Sequence, residues 1–469
     1  MIGNRYYIGL GLIVFCWLML IVCNLSCGSS SSETTTTTST TSTTTTSSTS
    51  TTSTTIPISS WAFVDGNGAN GINKSAANNA SFPQLTVFNS KLYATWYEYN
   101  ANNQIRIVVY NGNDASPGWT FMDGDGANGI NKSASNDAST PQLTAFNSKL
   151  YAIWREGNGT ANQIRIAVYN GNDASPGWTF IDGDGTNGLN KSASNDASTP
   201  QLTAFNSKLY AIWQENNGTA NQIRVVVYNG NDASPNWTFI DGNGTNGTNK
   251  DTLREAYFPQ LTVFDSKLYA TWCENNGTAN QIRVAVYNGN DPSPSWTFID
   301  GDGANGINKN ASNDALSSQL TVFDSKLYAS WYEDNGTANQ IRVAVYNGND
   351  SSPSWTFVDK GGYGTYYGIN KDASKNAYDP QLTVFDSKLY ATWHEYTGSG
   401  IAQIRVVVYN GNDASPNWTF IDGNGATGIN KDVSQQAFFP QLTVFNSKLY
   451  STWNENNGTA SQIRVVVGR

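Results

Sequence analysis

From Trp61 onward the chain is one unit written seven times. A Trp-x-Phe segment begins at Trp61, Trp119, Trp178, Trp237, Trp296, Trp355 and Trp418, at intervals of 58, 59, 59, 59, 59 and 63 residues. A second Trp follows in every unit, at Trp96, Trp154, Trp213, Trp272, Trp331, Trp393 and Trp453. In a repeat of this kind each unit buries its apolar surface only against its neighbours. The fold is therefore restricted to a ring or a stack of seven units.

The unit opening at Trp178 holds four β-rich runs. We label them D (Trp178 to Asp182), A (Pro200 to Phe205), B (Lys208 to Trp213) and C (Gln222 to Tyr228), in chain order. A and B are joined by Asn-Ser or Asp-Ser, a tight hairpin, and the other connections are Gly/Asn-rich loops. No helical periodicity appears. In the first unit, strand B places Leu92, Ala94 and Trp96 on one face and Tyr93, Thr95 and Tyr97 on the other, so both faces are apolar. A lone blade cannot bury both faces, and 59 residues is long for one coil of a linear solenoid. The expectation is an all-β, seven-bladed β-propeller of four-stranded antiparallel blades spanning 57–469. The first strand, Trp61 to Asp65, completes the last blade, which otherwise ends at its third run, Gln462 to Val467. That closure removes two open edges.

Residues 1–27 form an address. Arg5 precedes an apolar run from Tyr6 to Cys23, readable as an export signal or an uncleaved membrane anchor. The run ends in Asn24-Leu25-Ser26-Cys27, which resembles a bacterial lipoprotein cleavage box with Cys27 as the lipidated residue, although Asn24 stands where Leu is expected. Residues 28–56 are nearly all Ser and Thr and form a disordered stalk. Each of these readings puts the repeats outside the cytoplasm, and the favoured one is a surface-tethered lipoprotein that touches the membrane only through its N-terminus. Cys273 is the single Cys of the repeats, so no disulfide forms within them. A net charge of −9 argues against nucleic acid as partner. A monomer is expected.

The C–D turns carry an Asp five residues before Trp six times: Asp114, Asp173, Asp232, Asp291, Asp350 and Asp413. This resembles the Asp-box of sialidase-like propellers, without the leading Ser and turn Gly of that motif. The resemblance implies a structural turn remote from any ligand; it speaks for the fold and not for sialidase activity. In architecture the near-identical units are also similar to tandem-repeat propeller lectins.

Four features lie toward the face bearing the long D–A and B–C loops. The first pairs a Glu ending strand B with an Arg opening strand C: Glu98/Arg106, Glu156/Arg165, Glu215/Arg224, Glu274/Arg283, Glu333/Arg342, Glu395/Arg405 and Glu455/Arg464. These read as cross-hairpin ion pairs, either structural or offered to ligand hydroxyls. The second is a Gly-rich loop whose oxygens, such as Asp182, Asp184, Asn187 and Asn190, suit either Ca²⁺ or a plain Gly/Asn turn. Calcium is the one cofactor the sequence suggests. The third is the residue between Trp and Glu, which varies as Tyr97, Arg155, Gln214, Cys273, Tyr332, His394 and Asn454. It is either an exposed position free of packing constraint or a blade-specific ligand contact. The fourth is a set of aromatics before strand A, Phe82, Tyr257, Phe258, Tyr378, Phe438 and Phe439, which either pack beneath the loop or ring a pore mouth and stack on sugars.

An enzyme needs one asymmetric constellation, whereas seven similar units suit multivalent binding. The expected function is glycan binding at the cell surface, with a protein-interaction scaffold of the envelope as the alternative. A glycoside hydrolase or polysaccharide lyase using His394, Glu395, Asp379 and Tyr378 of the irregular sixth unit is less favoured.

Overall fold

The computed structural model describes residues 58–469, except 67, 69, 125, 127, 184, 186, 243, 245, 302, 304, 360–366 and 424–426. The export signal, Cys27 and the Ser/Thr stalk lie outside the described residues, as does Asp184 of the candidate calcium loop.

The expected strands form. In the first blade, strand A is Ala80–Phe88, B is Lys91–Asn100, C is Asn102–Tyr110 and D is Trp119–Phe121. The pattern recurs in seven four-stranded sheets, with no helix among the described residues. The A–B hairpin is tight because Asn89 and Ser90 both take positive φ, 46° and 56°, the mirror-image turn whose twist matches paired strands. The ring closes as the sequence predicts: Trp61, Ala62 and Phe63 pair antiparallel with Gly468, Val467 and Val466 of the last blade.

The core lies between blades. Leu209, Ala211 and Trp213 of one blade pack on Tyr151, Ile153, Ile164 and Ile166 of the one before. The inner A strands contact one another in sequence around the axis, the last returning to the first. At all seven junctions a Thr hydroxyl of strand A donates to a Leu carbonyl of the next blade, from Thr86 to Leu143 (3.0 Å) round to Thr443 to Leu85 (3.2 Å). On the outside, each strand-D Trp donates its indole N–H to a carbonyl of the preceding blade, as Trp237 does to Ile181 (2.8 Å) and Trp61 to Ile421 (2.9 Å). Each such bond contributes about 1 kcal/mol.

The Asp of the C–D turn is a third fastening. Asp413 accepts from Lys326 (2.5 Å) and Tyr328 (2.9 Å) of the neighbouring blade and from Tyr409 (2.9 Å) of its own. Burial pushes its carboxyl up, but these three bonds prevail and hold it below the ordinary value. The motif is thus structural, and it lies at the face opposite the D–A and B–C loops.

Candidate functional site

The seven Glu and seven Arg do not form the pairs expected from their spacing. Trp96 sits opposite Arg106, and Glu98 opposite Gln104, so Glu and Arg share a face but lie diagonally. Each finds a better partner. Glu98 accepts the backbone N–H groups of Lys74 (2.8 Å) and Ser75 (2.9 Å) from the D–A loop, and the Trp96 indole N–H (3.2 Å). The same arrangement holds for Glu156, Glu215, Glu274, Glu333, Glu395 and Glu455. Burial raises each of these carboxyls above its ordinary value, against the N–H bonds that lower it. Arg106 instead bonds Asp123 after strand D (3.0 Å), and Arg165, Arg224, Arg283, Arg342, Arg405 and Arg464 each take the corresponding Asp. A Lys from the D–A loop completes the cluster over the Phe of strand D, as Lys191 does 4.1 Å above the Phe239 ring. That Lys escaped the sequence reading, although Asn-Lys recurs in every unit.

The candidate calcium loop is likewise part of the frame. Asp182 is buried against Arg165 (3.1 Å) and Lys132 (3.8 Å). Asn190 accepts from the Ile164 N–H (2.9 Å) and donates to the carbonyls of Asn162 (2.9 Å) and Asn195 (2.7 Å), clamping one blade to the next. Gly188 is required between them, because a Cβ there would strike the Ile164 carbonyl. Asn187 also makes an interaction of its own. Asp182 and Asn190 are thus each engaged with protein partners, as a Gly/Asn turn would have them.

What remains is the material that varies, and the fold gathers it. Each strand A opens with a β-bulge: Ser81 pairs with Tyr97, then Gln84 with Thr95. The residue in the bulge has φ between 54° and 58° in every blade, at Phe82, Thr140, Thr199, Phe258, Ser317, Asp379 and Phe439. None is Gly, so each costs on the order of 1–3 kcal/mol of backbone strain. Bulges re-aim side chains. The residue before each bulge stands opposite the variable strand-B position, as in Ser81/Tyr97, Tyr257/Cys273 and Tyr378/His394. The variable residue of strand B and the aromatics, which fall in the first residues of strand A, are therefore one feature: three varying side chains per blade, at the same end of strands A and B.

These side chains meet across blades. Phe439 stacks on Phe82 with centroids 4.0 Å apart, and Phe82 on Tyr97 at 5.7 Å. Tyr332 meets Tyr378 edge-on at 5.0 Å, and His394 lies 5.3 Å from Tyr378 and 5.1 Å from Phe438. Gln214 accepts from the Phe258 N–H at 3.0 Å. The strand-B position is not an exposed site free of packing constraint: Cys273, Tyr332 and His394 are 0%, 3% and 5% exposed. Phe82, Tyr257, Phe258, Tyr378, Phe438 and Phe439 are partly buried and line the mouth with Tyr97. These positions are aromatic from the fourth blade through the seventh to the first and polar over the second and third, where Arg155 and Ser198 are partly buried and Ser139, Thr140, Thr199 and Gln214 are buried. Of the four large apolar side chains left most exposed among the described residues, Leu253, Tyr367 and Val433 belong to the D–A loops of this same face and Tyr99 to the end of strand B that leads into its B–C turn.

His394 and Asp379 form a buried couple, Nδ1 to Oδ2 3.3 Å. Burial pushes the Asp379 carboxyl well above its ordinary value and the His394 imidazole down to about 3. Unfolding restores ordinary behaviour, near 3.8 and 6.5. Above pH 3.8 the folded state keeps an Asp379 proton that the unfolded chain releases, so this group's contribution to stability falls as pH rises. Below 6.5 the unfolded chain takes up a His394 proton that the folded state refuses, so this contribution falls as pH drops. The two slopes oppose each other between roughly pH 4 and 6.5. Asp379→Asn, which suits the positive φ, is expected to remove the Asp379 slope and so to lose stability relative to wild type progressively as pH falls through that interval. Urea midpoints at successive pH values report it; parallel curves for wild type and variant would refute it.

A scan against protein-family models finds no match, and a search of curated proteins finds no relative. Among solved structures, the chain is similar to the polysaccharide lyase Uly1, at 9% identity over 82% of this chain and 88% of the lyase, with a TM-score of 0.51. It is also similar to an α-L-arabinanase from Penicillium chrysogenum solved with arabinobiose, at 14% identity over 83% and 93% of the two chains, with a TM-score of 0.40. At these identities the likeness is one of fold.

Proposed function

We propose that the protein is a surface-tethered glycan-binding propeller whose ligand sits at the axial mouth on the D–A and B–C loop face. The observation that carries this reading is the division of labour among residues. The repeated Glu, Arg, Asn, Thr and Trp side chains described above are engaged in the frame, while the three varying positions per blade lie together at one end of strands A and B, where aromatic rings meet across blades. Faces of Phe and Tyr present flat, water-shedding surfaces to the C–H faces of sugar rings, with polar groups beside them for hydroxyls. The ligand site is then one composite of seven unequal contributions rather than seven equal sites. Uly1 by its name acts on a polysaccharide, which agrees with this reading without carrying it. Tethering through the N-terminal segment and Cys27 belongs to the same proposal.

The repeats supply controls for its test. Phe439→Thr copies Thr140 and Thr199 at the same bulge, and Tyr378→Ser copies Ser139 and Ser198, so the frame accommodates both changes. Each is expected to weaken binding of residues 57–469 to its best ligand on a glycan array about 10-fold, as loss of one stacking contact of about 1–1.5 kcal/mol requires. Unchanged affinity in both variants would remove the mouth as the site. A blank array for the wild type would favour the envelope scaffold instead.

One observation favours a second reading, cleavage of the glycan. The sixth blade alone offers a His, the chain's single one, beside a buried Asp and under a Tyr ring. His394→Asn, which copies Asn454 of the last blade, would then abolish turnover of a polysaccharide while preserving binding. Absence of any turnover by the wild type on a broad panel defeats this reading.

A further inference from the structure

We propose that Arg155 receives the anionic group of an acidic sugar, so that the mouth selects acidic over neutral glycans; this rests on the glycan reading above. Arginines on strand C are all engaged with a buried Asp, seven in number. Arg155, on strand B of the second blade, is different. It is partly buried, yet among the described residues no carboxylate lies within ion-pair distance of it and its guanidinium makes no hydrogen bond. The charged and titratable groups within its electrostatic reach are Tyr97, Asp196 and Asp137. Both acids are already committed: Asp196 accepts from the backbone and side-chain N–H groups of Asn162 (2.8 and 3.0 Å), and Asp137 from the Asn103 N–H (2.8 Å).

A guanidinium brings five donors in a planar fork that matches carboxylate or sulfate oxygens two at a time. Partial burial strips Arg155 of part of its hydration without supplying acceptors, which leaves those donors to an incoming ligand. The placement suits a sugar. Tyr97 stands between Arg155 and the aromatic arc, stacked on Phe82 on one side and within electrostatic reach of the guanidinium on the other. A ring held by that arc can present a charged substituent to the polar side of the rim. The frame has no use for Arg at this position, since the other blades hold Tyr, Gln, Cys, His or Asn there.

The test compares oligogalacturonates, their neutral methyl esters and sulfated galactan fragments, as ligands of wild type, Arg155→Gln and Arg155→Lys in low salt. Gln is the residue of the third blade, so the variant folds. Wild type is expected to bind a carboxylated or a sulfated arm at least ~10-fold more tightly than the ester, as a bidentate charged contact warrants. R155Q should abolish that preference, so that acid and ester bind this variant alike, and R155K should retain only part of it. The two acidic arms tell carboxylate from sulfate. A preference that survives R155Q, or equal binding of acid and ester by the wild type, overturns the assignment and leaves glycan binding standing. Failure of the wild type to bind any acidic or neutral sugar defeats both.

Discussion

A chain lacking residues 58–65 is expected not to persist as a folded monomer. The segment supplies the outer strand of the last blade, and its removal exposes the edge of strand C from Val466 to Gly468. It also removes the Trp61 bond to Ile421, the fully buried Val64, and the Val64 carbonyl that receives the Trp119 indole. Most costly is Asp65. Arg464 is 3% exposed and holds Asp65 at 3.2 Å, with Lys431 at 3.3 Å from the same carboxylate. Leaving a buried guanidinium without its acid costs about 3–5 kcal/mol by itself. Together with the lost packing, the deletion reaches the order of 10 kcal/mol, comparable with the whole stability of a typical domain. Light scattering after size exclusion is expected to show dimers or aggregates paired through the open edge, and a synthetic peptide spanning 57–66 to restore monomers. A truncated chain that is monomeric and melts like the wild type would refute the account. Asp65→Ala isolates the electrostatic share, with an expected loss of about 3–5 kcal/mol.

Glu274→Ala is expected to be the most damaging single change within a blade's loop architecture. The carboxylate is 0% exposed and accepts three N–H groups, from Lys250 (2.9 Å), Asp251 (2.8 Å) and the Trp272 indole (2.9 Å). Its deletion leaves the buried Trp272 indole and two partly buried backbone N–H groups without their acceptor beside a cavity, at a cost of about 3–5 kcal/mol. Glu274→Gln keeps the volume but turns an NH₂ group toward a backbone N–H, so it is expected to cost more than half as much. The loop it anchors leads directly into Tyr257 and Phe258, and amide exchange at Lys250 and Asp251 should rise with the fall in stability. Protection at these amides equal to wild type would show that the loop is held by something else.

The sequence carried the architecture because periodicity and alternation depend on short-range spacing. Two Trp per unit, four β-rich runs and an unpaired first strand are enough to dictate seven blades and their closure. Partners across the Glu–Arg hairpin were less legible, because Glu98 and Arg106 share a face and only the register tells that each has a nearer partner. That partner of Glu98 is backbone, contributed by a loop whose path the sequence does not reveal. The bulge was hidden for another reason. Positive φ is signalled by Gly or Asn, and here the position holds Phe, Thr, Ser or Asp. The usable cue was indirect: the bulge residue stands before Pro in six units and before Ser318 in the other. The aromatics ahead of strand A were visible as candidates, and the structure adds that they and the strand-B position are neighbours.

The Thr-to-carbonyl fastenings of the inner ring are the same at every junction, so no inner strand is specialised for its neighbour. The middle blades are then interchangeable as far as the inner ring is concerned, and their order sets which side chains stand next to one another at the varying positions. Exchanging one unit for another would rearrange the varying positions without rebuilding the scaffold.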